Sequence, residues 1–139
     1  MAALSGPRAT PLRASQGALS VDLYLLMAAS TVIHQGSLVA LNATGLAKPA
    51  GGAVATERVA GVAQEAKTSA ASGATYVRVK RGVAKLANLA GDLVVQANLL
   101  ADCFADDDQT VRATSNTNTR SRAGKVIQIE ADGVWVETY

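Results

Sequence analysis

Residues 76 to 80 read Tyr-Val-Arg-Val-Lys, and this strict alternation constrains the fold more than any other feature. Val77 and Val79 fall on one side of an extended chain and Arg78 and Lys80 on the other, the pattern of a half-buried strand. The rhythm returns in Lys125-Val126-Ile127-Gln128-Ile129-Glu130, and Asp132-Gly133, a favoured tight-turn pair, leads back through Val134-Trp135-Val136-Glu137. Before and between these lie short apolar runs at Ser37–Leu41, Glu57–Ala63, Val83–Leu89, Leu99–Phe104 and Gln109–Ala113, separated by Gly-containing or polar turns. Gly61, inside one run, marks a bulge or a close backbone approach. Residues 90–97 have a mixed period, suiting a loop or one helical turn, while Lys67–Gly73 and Ser115–Arg122 read as polar loops. No long helical period and no internal repeat competes with this pattern. The expected fold is mainly β, a small β-barrel or β-sandwich.

A chain of 139 residues suits one domain with a real core. Apolar residues make up 49% but aromatics only 4%, so Ala and Val supply most of the hydrophobicity. Charged residues are 17%, a thin charged surface that fits a protein partly covered by partners. A net charge of +2 is too small to imply nucleic acid by itself. No apolar run has the length of a membrane span.

The first twenty residues contain Arg8 and Arg13, several Ser and Ala and no acid, so they imitate a targeting segment. Asp22 at the edge of the apolar run that follows, and the lack of an A-x-A cleavage pattern, argue against that reading. Pro7, Pro11, Gly6 and Gly17 keep the segment from forming a helix or core strand. Residues 1–20 are therefore expected to be an extended arm lying on another molecule, with Arg8 and Arg13 as its charged anchors. Residues 21–139 form the β-rich domain.

The chemistry of catalysis is thin. The one histidine, His34, sits where a strand enters a turn, and a lone turn histidine is ordinarily solvated or hydrogen-bonded. The one cysteine, Cys103, excludes an internal disulfide and reads as a small buried hydrophobe. No Gly-rich phosphate loop and no dinucleotide fingerprint occurs. Asn42-Ala43-Thr44 reads as turn chemistry.

Asp106-Asp107-Asp108 is the unusual stretch, three of only 11 acids in a row. A calcium loop spaces its carboxylates at alternate positions and ends in glutamate; these are adjacent, and on extended backbone they point to opposite faces. A turn between two strands is the expected setting, with Arg112 as an ion-pair partner and no metal bound. No catalytic, cofactor or metal residues are assigned. Arg78, Lys80, Arg81 and Lys85 form a basic strip suited to an acidic protein surface. Nucleic acid would need aromatic platforms too, and Tyr76 is the only aromatic close to them in sequence.

In this order and spacing the motifs resemble the capsid decoration, or cement, proteins of tailed bacteriophages. The matching pieces are Gly36–Leu41, Gly45 with Pro49-Ala50, Val59–Ala63, Val77–Val79, Arg81–Val83, Asp107–Val111, Ala123–Val126 and Asp132–Val136. The family often carries aromatics after the Arg-Gly-Val, where this chain has Ala84 and Leu86, and the arm before Val21 is longer than the family's. The resemblance implies a small β-barrel on the outer surface of a virion, made in the bacterial cytoplasm, with no cofactor and no catalysis. Its partners would be the major capsid protein and copies of itself, a trimer in preference to a dimer by analogy, with partner-binding residues Arg8, Arg13, Arg78, Lys80 and Arg81. The alternative is a small nucleic-acid-binding barrel using the Arg78–Lys85 strip, and a third reading an enzyme with carboxylates at Asp106–Asp108.

Overall fold

The computed structural model describes residues 2–13, 21–52 and 55–138, with the side chains of Leu12 and Arg13 outside that description. The chain is mainly β, as the alternating pattern requires, and its strands form two curled sheets and a small ribbon. In chain order they are β1 (Leu12–Arg13), β2 (Val21–Leu26), β3 (Val32–Ile33), β4 (Leu38–Leu41), β5 (Ala47–Pro49), β6 (Arg58–Ala63) and β7 (Lys67–Thr68). Then follow β8 (Tyr76–Arg81), β9 (Val83–Asn88), β10 (Asp102–Ala105), β11 (Thr110–Arg112), β12 (Arg122–Glu130) and β13 (Gly133–Glu137).

The second half closes on itself. β9 pairs with β13, β13 with β12, β12 with β10, β10 with β11, and β11 returns parallel to β9 through Thr110↔Ala87 and Val111↔Asn88. A five-strand ring has a narrow interior that side chains must fill completely. Small residues answer that demand: Ala84, Leu86, Cys103, Ala105, Val111, Ala123, Val126, Val134 and Val136 are buried there. This is the physical setting of Ala84 and Leu86 on β9. Burial also pushes the Cys103 thiol up to about 12, which leaves it an inert hydrophobe.

The first half forms the sheet β2-β8-β6-β4-β5, whose ends meet through a single parallel bridge, Met27↔Ala47. It wraps a second core of Met27, Ile33, Val39, Ala47, Ala60, Ala63, Val77 and Val79. The ribbon β3–β7 supplies Ile33 to that core. β4 faces both cores: Leu38 and Ala40 join the first, Val39 the second. Burial on both faces is why Leu38–Leu41 is a continuous apolar run rather than an alternating one.

β6 serves both cores by a different device. Val59 and Val62 reach the first core while Ala60 and Ala63 reach the second, a spacing of three that a regular strand cannot give. The register against β4 skips Ala60, since Val39 pairs with Gly61 and Ala40 with Val59. This is the bulge that Gly61 marks in the sequence. A Cβ at Gly61 would lie 2.4 Å from the Lys80 carbonyl oxygen, so only glycine fits the approach.

Three sequence expectations shift. Lys67–Gly73 is not all loop, since Lys67 and Thr68 form β7, and Ser69 is buried, donating to the Ala28 carbonyl and accepting from the Thr31 amide at 2.8 Å. The polar stretch Ser115–Arg122 ends inside structure, because β12 starts at Arg122 and Ser121 is buried. The run Leu99–Phe104 is strand only from Asp102 onward. The 3-10 turn at Gln96–Asn98 is the helical turn that the mixed period allowed, extending one residue past that segment.

The arm shows the largest difference. The sequence places it on another molecule; residues 2–13 lie instead on the domain that follows them. β1 joins the edge of β9 through Leu12↔Ala84 and Arg13↔Val83, and the Arg8 amide donates to the Gln35 carbonyl at 2.9 Å. Backbone partners on the domain replace the core that the arm lacks. Met1 and residues 14–20 lie outside the described residues.

Candidate interaction face

β8 alternates as its sequence requires, with Val77 and Val79 fully buried and Tyr76 and Arg78 exposed. β2 pairs along its whole length, so Tyr24 stands opposite Arg78, Asp22 opposite Lys80 and Leu26 opposite Tyr76. Directly opposed side chains share a face. Tyr24 is 69% exposed and Tyr76 56%, so one tyrosine directly across the strand pair and another two residues along β8 stand beside Arg78 on open sheet. Tyr and Arg are the residue types enriched where protein surfaces meet. Sequence reading missed Tyr24, because its nearness to Arg78 depends on which strand pairs with β8.

The five proposed contact residues do not form one site. Arg78 and Lys80 share the outward face of β8. Arg81, at the strand's end, donates through Nε to the Thr138 carbonyl at 3.2 Å and so links the two sheets. Arg8 donates to Gln109 Oε1 at 3.3 Å, within the chain's own fold. Arg13 is placed by backbone pairing with Val83, and its side chain lies outside the described residues.

Lys85 leaves the basic strip altogether. Its ammonium sits 2.7 Å from Glu130 and 2.6 Å from Asp132, and 5.8 Å from the centroid of the Trp135 ring. Hydrogen bonds to Asp132 and then Glu130 raise its pKa. Lys85 holds the β12–β13 hairpin together, and Trp135, only 8% exposed, lies in that hairpin.

The aspartate triplet joins β10 to β11, the turn setting its sequence implies. Its side chains are not simply solvated, however. Asp106 takes Arg112 at 3.0 Å, the ion pair expected from the sequence, and Arg120 at 3.5 Å. Asp107 Oδ1 accepts from the Gln109 amide at 2.9 Å, and desolvation raises its pKa. Asp108 is 3% exposed; its Oδ2 accepts from the Ser37 hydroxyl at 2.9 Å and its Oδ1 from the Leu4 amide at 2.7 Å. The Asp108 carbonyl accepts from the Leu38 amide at 2.7 Å. The triplet therefore ties the closed barrel, β4 and the arm together. Among the described residues no group of three His, Cys, Asp or Glu side chains could hold a metal ion.

A second apolar area stands on the segment before β10. Leu93 is 50% exposed, Val95 48%, Leu99 38% and Leu100 64%. Paired bonds between Asn88 and the Val94 backbone, both 2.9 Å, hold this segment to the barrel. Several adjacent exposed aliphatics differ from the scattered ones of an ordinary surface and suit contact with another molecule. The candidate chemistry is thus that of association. No protein-family model, curated protein or solved structure matches the chain.

Proposed function

We propose that this chain is a capsid decoration protein, binding the outside of a tailed-phage head and stabilising its coat lattice without catalysis. The observation that carries the reading is the exposed Tyr24–Arg78–Tyr76 face on a rigid β scaffold, in a chain whose ordered motifs resemble the decoration family. Its work is mechanical. A ligand that binds only the assembled shell stabilises that shell by mass action. The coat subunits would supply acidic and apolar surface to Arg78, Lys80 and the two tyrosines, and an array of copies would cover the shell.

The test is sedimentation of the purified chain with shells assembled from the coat protein of the same genome, beside unassembled coat subunits. Saturable binding to shells and none to free subunits supports the reading. Equal binding to both, or none to shells, refutes it. The nucleic-acid reading gains a platform in Tyr24 but loses Lys85 to Glu130 and Asp132, leaving a shorter strip. It requires an affinity for DNA or RNA that falls steeply with salt.

A further inference from the structure

The arm's seat is built from both halves of the domain. At one end the buried Asp108 carboxylate accepts the Leu4 amide, and Gln109 Nε2 donates to the Ala2 carbonyl at 2.6 Å. In the middle the Arg8 amide donates to Gln35, and the Thr10 hydroxyl to the Gly36 carbonyl. At the far end the Lys85 amide donates to the Pro11 carbonyl at 2.9 Å, where β1 begins its pairing with β9. A Cβ at Gly36 would lie 2.1 Å from the Arg8 carbonyl oxygen, and Gly36 has φ +86°, so glycine clears the arm's path.

Most of these bonds reach arm backbone rather than side chains. The seat therefore recognises an extended chain, as sheet-edge peptide sites do. Pro7 and Pro11 hold the arm near that shape beforehand and lower the ordering cost of binding. Arg13 is paired with Val83 and Val21 with Arg81, two residues away. Two strand spacings and two residues put Arg13 and Val21 at most about 16–17 Å apart. The seven residues between them can span about 26–29 Å. The tether is long enough for the arm to leave without pulling on β2.

We infer that the seat is an extended-peptide site and that its second occupant is the arm of another copy of this chain, residues 2–13 exchanging between neighbours. Identical contacts form in either arrangement, so exchange costs no bonds. What selects between them is the effective concentration that the tether's length sets, against the local concentration of other copies. Dense arrays favour exchange, and this rests on the decoration reading only for where such density arises. Each copy gives one arm and accepts one, so exchanged arms would link neighbouring copies into closed rings or continuous chains.

The test needs purified full-length chain and no particles, so its failure is separable from failure of the decoration reading. One preparation carries Leu12→Cys and another Ala84→Cys, which face each other across the β1–β9 pair. Facing residues of this kind stand at disulfide distance. Every preparation also carries Cys103→Ala, because Cys103 and Ala84 are buried in the same core. Mixing under oxidation should give a covalent heterodimer whose yield rises with protein concentration and falls at least several-fold under excess peptide of residues 2–13. A single chain carrying both cysteines should close on itself when dilute. A chain that closes alone while the mixture gives no heterodimer at any concentration overturns the exchange. Should neither this pair nor Arg13→Cys with Val83→Cys close within one chain, the seat itself is wrong and the proposal falls with it.

Discussion

Asp108 shows how one residue's worth depends on its neighbours. Its two carboxylate oxygens hold the Leu4 amide and the Ser37 hydroxyl away from water. Asp108→Ala leaves both donors unpaired and should cost about 1–3 kcal/mol for a buried donor that loses its partner. Urea unfolding measures that loss, and hydrogen exchange at the Leu4 amide should rise with it. Asp92 gives the pH prediction. Hydrogen bonds from Thr114, with Arg112 beside them, hold its pKa below the usual carboxylate value of 3.8. A depressed folded-state pKa means stability that is complete above the unfolded value and lost as pH falls through the folded one. Wild type should therefore lose stability below pH ~4 more steeply than Asp92→Asn. Melting temperatures compared at pH 3 and pH 6 decide this, and equal slopes would remove Asp92 from the account.

Among the elements, β6 and the closing hairpin carry the clearest consequences. Gly61→Ala puts a methyl 2.4 Å from the Lys80 carbonyl oxygen and should cost at least about 1–3 kcal/mol, as overpacking does. Trp135→Ala empties a largely buried site under Lys85 and should cost about 3–5 kcal/mol, read as a lower urea midpoint. Both elements were legible in the sequence. Alternation gave β8 and the strands of the hairpin, and Gly61 inside an apolar run gave the bulge. The hairpin turn itself sits one residue earlier than expected, at Ala131-Asp132, because Gly133 already pairs with Glu130. What stayed hidden depends on pairing between distant segments. Nothing local says that Tyr24 faces Arg78, that Lys85 belongs with Glu130 and Asp132, or that Leu4 meets Asp108. Lys67 and Thr68 are a strand only because Val32 and Ile33 lie beside them. The arm misled because its composition shows that it lacks a core, not whose surface replaces one.

For the whole molecule, two cores joined through β4 and β6 make a scaffold that can carry load between its faces. Tyr24 and Arg78 lie outside both cores, so replacing both with Ala should leave the melting temperature nearly unchanged. The same variant should bind shells at least about 10-fold more weakly, the scale of interface residues of these types. The most direct measurement of the central claim is calorimetric disruption of assembled coat shells with and without a saturating amount of this chain. Decoration predicts that the shell's disruption temperature rises as sites fill and stops rising at saturation, while dissociated coat subunits melt unchanged. A shell whose disruption temperature stays the same at every amount of added chain would contradict it.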